Sequence, residues 1–420
     1  MAVTLLGVVC VAPASAQTSV GGPNGIQVGE GRLHPFLEVD GRYDSLVGYF
    51  SGTPEAPLPS ADIVIHARPG LRFNLSNVST SFTFNGSAEY LFYTGLINPA
   101  ATQLSRFPTG LRANVGADAR FNQDGAVEVQ IGDTMTRSDR TQNPAAGIGL
   151  LSMFNSVHLA VPIHPGGRGL EITPRIAWQV EFFEPLALGT IAGCAPTDAT
   201  CSPNLVSQMN YSNISPVLNA RWRFLPKTAF VIDVASDIRT YWAGSSSSSP
   251  PATMLRAQAG IAGLITARIN ATIMAGYGGD LSTAAPGSTT QKLHNFIANA
   301  EVGFAPNEMM KVSLGYLRTA LPAPILGTYI DDRGYLRGNL GLWAGRLTFT
   351  LQAMFDRLGF YDATKRVDLV FSGNAAVTFA IVSWFDAGLG YTASYRDSSA
   401  SALSTKYFRH EVMLRLGVHY

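Results

Sequence analysis

Alternating apolar and polar side chains recur throughout this chain, in segments long enough to cross a bilayer as strands. This alternation constrains the fold more than any other feature. The last segment shows two faces: one carries Phe408, Val412, Leu414, Leu416, Val418 and Tyr420, interrupted by His410, and the other carries Arg409, Glu411, Arg415 and His419. Because successive side chains of a β-strand point to opposite faces, each segment predicts a strand with one apolar and one polar face.

The lengths and spacing of the segments predict a closed barrel. Membrane-spanning strands need about 9–11 residues, whereas strands of soluble proteins average about 5–6. Short and long separators alternate along the chain, as periplasmic turns and extracellular loops do in outer-membrane barrels. The predicted fold is all-β: a closed antiparallel transmembrane β-barrel of about 18 strands, with roughly 16 or 20 also compatible with the pattern.

A soluble β-sandwich also alternates, so other features must decide which face meets lipid. Charged residues make up only 14% of the chain, against about 25% in soluble proteins. Assembly machinery of the outer membrane recognises a last strand that ends on an aromatic residue, and Leu414, Leu416, Val418 and Tyr420 fit that assembly signal. Aromatic residues on the apolar faces are predicted to form an interfacial girdle, and they include Tyr43, Phe92, Trp178, Trp222 and Tyr395.

The N-terminus carries an export signal. An apolar stretch precedes Ala14-Ser15-Ala16, a small-x-small pattern that signal peptidase cleaves. No Lys or Arg precedes the stretch, so we expect that the start codon is assigned too late and that a basic n-region lies upstream. We therefore expect a signal peptide over residues 1–16, a flexible periplasmic leader over 17–32 and an outer-membrane barrel over 33–420 of a Gram-negative cell.

Two cysteines remain after removal of the signal, Cys194 and Cys201, within a Gly/Pro/Thr-rich loop. Cysteines that lie close together in exported proteins are usually oxidised to a disulfide. A local disulfide is therefore expected, with two free thiols as the alternative.

The polar faces of the strands predict the lining of the barrel. The predicted pore-lining residues are Glu38, Asp40, Arg42, Asp62, Arg68, Arg72, Glu89, Arg112, Asp118, Arg120, Glu171, Arg175, Arg221, Arg223, Asp233, Asp237, Arg239, Arg409, Glu411 and Arg415. Two interpretations are open. Cross-strand Arg–carboxylate ladders stiffen the wall, or the paired charges form a path for a hydroxyl-rich polymer, with Tyr93 and Tyr241 as stacking platforms for sugar rings.

The sequence gives little support to an enzyme. His66, between Asp62 and Arg68, and His410, beside Glu411, are the only candidate catalytic groups. No serine or metal-ligand spacing accompanies them, so we expect ordinary wall histidines, no metal and no cofactor. The net charge of +1 argues against a nucleic-acid partner.

Several short segments resemble a known family. They are Arg42-Tyr43-Asp44-Ser45, Ala67-Arg68-Pro69-Gly70-Leu71-Arg72, Tyr90-Leu91-Phe92-Tyr93-Thr94-Gly95, Asp133-Thr134-Met135-Thr136-Arg137-Ser138-Asp139 and His164-Pro165-Gly166-Gly167. The chain is similar to outer-membrane barrels of the "β-barrel porin 2" type, especially those encoded with exopolysaccharide secretion systems in myxobacteria. The resemblance implies an eighteen-stranded export pore that pairs with a periplasmic polysaccharide-export protein.

Barrel size and family resemblance together predict a pore that translocates a secreted polysaccharide. The alternative is a general diffusion porin for small polar solutes, and an adhesive barrel is a further hypothesis. A lumen of this width must hold water or a plug, and we expect no plug domain, only inward folding of loops 137–149 and 187–208. The expected partners are outer-membrane lipid, the barrel-assembly machinery, the export protein and its polysaccharide cargo.

Overall fold

The computed structural model shows a closed antiparallel β-barrel and describes residues 25–53, 56–139, 150–167, 169–185, 209–242, 252–281, 293–323, 328–361, 365–399 and 406–420. Eighteen strands, β2 to β19, form the wall. Each pairs with the next in sequence, and the last pairs with β2, where Leu414 lies opposite Gly41. The predicted fold class is confirmed, because this last pairing removes both free edges of the sheet.

The strands of the first half of the chain are β1 (Ile26–Val28), β2 (Gly31–Thr53), β3 (Ala56–Ser76), β4 (Thr80–Tyr93), β5 (Leu111–Phe121), β6 (Val129–Ser138), β7 (Leu150–Ala160), β8 (Leu170–Pro185) and β9 (Tyr211–Leu225). Those of the second half are β10 (Thr228–Tyr241), β11 (Ala252–Leu264), β12 (Ile269–Asp280), β13 (His294–Asn307), β14 (Met310–Pro322), β15 (Thr328–Leu342), β16 (Leu347–Phe360), β17 (Val367–Val382), β18 (Phe385–Ser398) and β19 (Tyr407–His419).

The N-terminal segment differs from the expected flexible leader. Residues 26–28 form the short strand β1, which folds back on the start of β2 with Ile26 opposite Leu33 and Val28 opposite Gly31. The signal peptide over 1–16 and the leader as far as residue 24 lie outside the described residues, as do Cys194 and Cys201.

Short turns join the strands at the end of the barrel that holds both β1 and the end of β19. Asparagine side chains shape several of them: Asn77 Oδ1 accepts hydrogen bonds from the backbone N–H groups of Ser79 and Thr80, at 3.1 and 2.7 Å. Asn122 adopts a left-handed φ of 58°, which asparagine tolerates better than most residues. We call this end the short-turn end.

Longer connections lie at the opposite end, the mouth of the barrel. The β2–β3 hairpin extends far at this end, because β2 continues to Thr53 and β3 begins at Ala56. A short 3₁₀ helix, η1 (Pro99–Ser105), lies in the β4–β5 connection, and the Asn98 side chain accepts a hydrogen bond from Ala100 N at its start. Among the described residues, no helix has the length and apolar character needed to cross a membrane.

The apolar faces of the strands point away from the barrel interior. Leu414 and Leu416 are 60% and 47% exposed, whereas the side chain of Arg415 between them is only 12% exposed. On β2, Leu37 and Val39 are likewise exposed while Glu38 is buried. The predicted girdle aromatics are all exposed as well. Because a soluble barrel would bury these leucines, the outer surface fits lipid and the interior is polar.

Candidate functional site

A cavity of about 270 Å³ lies inside the barrel. Its walls come from β2 to β6 on one side and β16 to β19 on the other. Charged side chains dominate the first wall, and β16 to β18 contribute small polar ones, among them Gln352, Ser372, Asn374, Thr392 and Ser394. The cavity is therefore a polar compartment with an asymmetric charge distribution.

The charged wall is a ladder in which arginines and carboxylates pair across neighbouring strands. Arg415 Nη2 lies 3.1 Å from Asp386 Oδ1, and its Nη1 lies 4.0 Å from Glu38 Oε1. Glu38 also pairs with Arg68. Arg42 continues the ladder, with Nη2 at 3.5 Å from Asp40 Oδ1. Side chains on one face of paired strands lie within reach of each other, so inward residues of β18, β19, β2 and β3 neutralise one another.

Arg409 is the junction of this ladder at the mouth. Its Nε and Nη2 form two hydrogen bonds with the Asp44 carboxylate, at 3.0 and 2.6 Å, and Nη2 lies 2.9 Å from Glu411 Oε1. Asp139, just after β6, lies 3.9 Å from the same Nη2 and 3.7 Å from Arg112 Nε. Two guanidinium groups thus bind three carboxylates from three parts of the wall, a charge-assisted network of the strong kind.

A second group lies beside the ladder. His66 on β3 is buried and hydrogen-bonded through Nδ1 to Glu89 Oε1 on β4. Asp40 on β2 stands directly opposite His66 in the strand register. One candidate ligand atom from each of these three residues lies within 4.8 Å of the other two. The sequence did not predict this grouping, because the alternation gives the face of each residue but not the register between strands.

The β4–β5 connection folds into the mouth. Ala101 and Leu104 of η1 pack against Val64, Leu91 and Tyr93 on the inner faces of β3 and β4. The sequence predicted inward folding of loops 137–149 and 187–208, of which 140–149 and 187–208 lie outside the described residues. The inward segment that the structure shows had no distinguishing sequence signal.

Asp62 holds that inward segment in place. Its carboxylate accepts hydrogen bonds from Gly95 N at 2.8 Å and Ile97 N at 3.2 Å. Asp62 is fully buried, so it lies beneath this segment and not on the open pore lining where the sequence placed it. The prediction failed because alternation identifies inward side chains but cannot show that a loop covers one of them.

A second segment narrows the mouth from the other side. The adjoining ends of β14 and β15 pack on the inner faces of β10 and β11: Tyr241 OH donates to Ala323 O at 2.6 Å, and Arg239 donates to Pro322 O at 3.4 Å. On the other flank, Tyr329 packs against Phe360 and the neighbouring inward side chains of β16 and β17. The adjoining ends of β14 and β15, as far as Ala323 and from Thr328, are therefore held within the mouth.

These contacts correct the predicted stacking platforms. Tyr93 and Tyr241 are 4% and 9% exposed. Tyr93 packs against η1, and Tyr241 is bound to the β14–β15 end. Neither ring offers a free face to a sugar.

Apart from Asp62, the predicted lining residues separate into three sets. Those that line the cavity are Glu38, Asp40, Arg42, Arg68, Arg72, Glu89, Arg112, Arg409, Glu411 and Arg415. Those on the inward faces of β5 and β8 to β10, at the short-turn half, are Asp118, Arg120, Glu171, Arg175, Arg221, Arg223 and Asp233. Asp237 and Arg239 are buried near the mouth, where Asp237 pairs with Arg256 at 2.6 Å and Arg239 stacks 3.8 Å above the Tyr211 ring.

Several charged residues of the interior were missed by the sequence analysis. They are Asp139, Asp331, Arg333, Asp356, Asp368, Asp386 and Arg396. The alternation along β16 and β18 could have identified Asp356 and Asp386. The outward positions of both strands carry exposed apolar side chains, so the positions between them point inward. Asp139 follows the end of β6, where the period-two pattern stops.

Of the other catalytic candidates, His410 lies on the outer face, near the rings of Tyr43 and Phe408. It is separated from Glu411, which points inward. The described residues thus bring together no nucleophile, base and acid at either histidine named by the sequence.

A closed barrel with an apolar outer surface and a charged interior defines the class of transmembrane β-barrels with a polar lumen. Among solved structures, the chain is similar to a BenF-like porin from Pseudomonas fluorescens Pf-5, with a TM-score of 0.51 and 10% identity over 94% of this chain and 100% of that chain. At this identity the likeness shows the fold alone, which is that of outer-membrane porins.

Two further solved structures match with lower TM-scores. Pseudomonas aeruginosa OccK2 (OpdF) gives 0.46 at 11% identity, over 94% of this chain and 99% of that chain. Acinetobacter baumannii OccAB3 gives 0.46 at 10% identity, over 94% and 100%. No protein-family model and no curated protein matches the sequence, so the resemblance to exopolysaccharide-secretion barrels has no further support.

Proposed function

We propose that this barrel is a diffusion channel for small polar solutes in the outer membrane. One observation carries the proposal: a charge-lined cavity of about 270 Å³ lies beneath a mouth narrowed by two inward-packed segments. A narrow aqueous compartment with fixed hydrogen-bonding groups admits small hydrated molecules and restricts large ones.

The same observation disfavours the polysaccharide pore that the sequence first suggested. A polymer needs a continuous bore through both ends of the barrel. Here the mouth holds apolar clusters around Leu104 and around Tyr329, in which both residues are fully buried. The tyrosines expected to stack on sugar rings are also engaged in packing. The diffusion-porin alternative therefore explains the interior better, and it requires no periplasmic export protein.

The wall chemistry indicates what kind of solute is admitted. Arginines and carboxylates alternate along the ladder, so neither charge dominates over the length of the cavity. Paired charges still offer hydrogen-bond donors and acceptors at their edges. We propose a polar solute with both donor and acceptor groups, and no catalytic step.

The outer surface supports the proposed location. The exposed apolar side chains of β19 and β2 would meet lipid, and the aromatic terminus would serve recognition by the assembly machinery. Outer-membrane lipid and the barrel-assembly machinery are therefore the partners that we propose.

Conductance across planar lipid bilayers tests this function. We expect the purified barrel to give steady ohmic currents without any partner, and vesicles containing it to admit monosaccharides but exclude long oligosaccharides. The matched variants are Thr392→Trp, whose side chain enters the cavity, and Tyr391→Trp, whose side chain points outward. The first should lower the conductance and the second should leave it unchanged. A barrel without current, or one that passes a long polysaccharide, would overturn the proposal.

A further inference from the structure

Three adjacent strands bring an imidazole and two carboxylates together inside the barrel. Asp40 on β2 lies opposite His66 on β3. His66 lies opposite Leu91 on β4, and Glu89 is two residues before Leu91 on the same face. The three side chains therefore converge from fixed backbone positions in the wall, and one ligand atom from each lies within 4.8 Å of the others.

We infer that Asp40, His66 and Glu89 form a binding site for a divalent transition-metal ion, of which Zn²⁺ fits best. One imidazole nitrogen with carboxylate oxygens is a donor set that zinc uses in proteins. Zinc–ligand distances of about 2.0–2.1 Å place tetrahedral ligand atoms roughly 3.4 Å apart. Small side-chain rotations would bring the three ligand atoms to this distance from one another. The ion would then replace the hydrogen bond between His66 and Glu89.

An unsatisfied carboxylate oxygen independently points to a ligand here. Asp40 is 7% exposed, and its Oδ1 accepts no hydrogen bond from the described residues. Arg42 Nη2 forms an ion pair with this oxygen, at 3.5 Å. At this distance the ion pair offsets only part of the cost of burying a charged oxygen without a hydrogen bond, and a coordinated cation would offset more of it.

The arginines beside the group also pair with carboxylates outside it. Arg42 is shared with Glu411, at 3.7 Å, and Arg68 is paired with Glu38. Neither arginine is therefore committed to Asp40 or Glu89 alone. No other group of three such ligands occurs in the parts of the chain that the structure describes.

Both carboxylates and the histidine line the cavity. Three protein ligands leave a fourth coordination position for water or a solute, as in open zinc sites. An ion held there would narrow the path and add positive charge to it. Binding of the ion is independent of the proposed transport function, whereas the block of conductance that follows rests on it.

Direct binding is the first test. The folded barrel in detergent, freed of metal by chelation, is titrated with ZnCl₂ in a calorimeter and with CoCl₂ in a visible-absorption cell. We expect one Zn²⁺ per barrel, competition by Co²⁺ and no comparable binding of Mg²⁺, which prefers six oxygen ligands. His66→Ala and Glu89→Gln should each weaken binding by about 10-fold or more.

The matched control is His158→Ala, on the inward face of β7 and outside the group. Heat-modifiable migration on gels reports that each variant is folded. Binding that survives His66→Ala, or that His158→Ala weakens equally, would overturn the inference.

Conductance is the second test and separates the two proposals. Zn²⁺ should reduce the current of the native barrel, chelation should restore it, and Glu89→Gln should require about 10-fold more Zn²⁺ for the same block. A conducting barrel that binds no zinc would contradict the metal site and leave the channel intact. A barrel that binds zinc but conducts nothing would support the site and contradict the channel.

Discussion

Arg409 Nη2 lies 3.9 Å from Asp139 Oδ2, although four strands separate β19 from the end of β6. Arg409 also binds Asp44 and Glu411, which are close to it in the sheet. The contact with Asp139 therefore ties the mouth together across the interior. Because Asp139 also faces Arg112, the junction fixes the position of the chain where it leaves β6.

Replacing Arg409 should change the ion selectivity of the channel. Arg409→Gln removes one positive charge and leaves Asp44, Glu411 and Asp139 in place. We expect a shift toward cation permeability, measured as the reversal potential in a salt gradient. The shift should shrink at high salt, because the Debye length falls from about 10 Å at 0.1 M to about 3 Å at 1 M. An unchanged reversal potential at low salt would show that the junction lies off the conduction path.

The inward position of η1 depends on Asp62. Asp62→Ala removes the acceptor of the Gly95 and Ile97 N–H groups and should lower the free energy of unfolding by about 1–3 kcal/mol. The released segment should become sensitive to protease added to intact vesicles. Asp62→Asn keeps one acceptor oxygen, so its free energy of unfolding and its protease sensitivity should lie between those of the native barrel and Asp62→Ala. If the segment stays resistant in Asp62→Ala, the apolar contacts of Leu104 alone hold it.

A buried ion pair near the mouth should contribute strongly to stability. Asp368 binds Arg396 at 2.5 Å, with side-chain exposures of 0% and 2%, and it also accepts from Ser398 Oγ at 2.5 Å. Asp368→Asn removes the carboxylate from a buried guanidinium, and the expected loss in the free energy of unfolding is about 3 kcal/mol. Urea titration of the barrel in lipid vesicles measures it.

The matched control is Asp397→Asn on the neighbouring strand. Asp397 pairs with Lys406 at 2.8 Å, but their side chains are 42% and 65% exposed. Exposed pairs contribute little, so the control should unfold like the native barrel. Equal losses in the two variants would indicate that burial does not set the energy of these pairs.

The strand pattern was predictable because lipid imposes it locally. Leu414 must be apolar and Arg415 polar wherever the strand lies in the bilayer, so a single strand reveals its own two faces. The count of wall strands followed from repeating that test along the chain.

The interior arrangement was not predictable in the same way. Asp40 and His66 are 26 positions apart, and only the register of β2 with β3 makes them neighbours. Loops carry no comparable periodicity, so the position of Leu104 inside the mouth and the burial of Asp62 beneath that loop left no signal in the sequence.

A charge introduced on the outer face should be far more costly than one on the inner face. Leu414→Arg places a guanidinium where lipid is expected and should destabilise the barrel by about 2–4 kcal/mol if the position is near the bilayer centre. Met413→Arg, one residue earlier, points into the cavity and should change conductance with little effect on stability. Urea unfolding in vesicles compares the two, and the reverse order would contradict the assigned faces.

Thiol accessibility along β19 tests the inside-out alternation most directly. Single cysteines are introduced as Met413→Cys and Leu414→Cys in a Cys194→Ser, Cys201→Ser background, and the barrel in vesicles is exposed to a charged, water-soluble thiol reagent. We predict rapid labelling at 413, with loss of current, and protection at 414. Labelling at 414 with protection at 413 would contradict a polar, water-filled interior enclosed by an apolar outer surface.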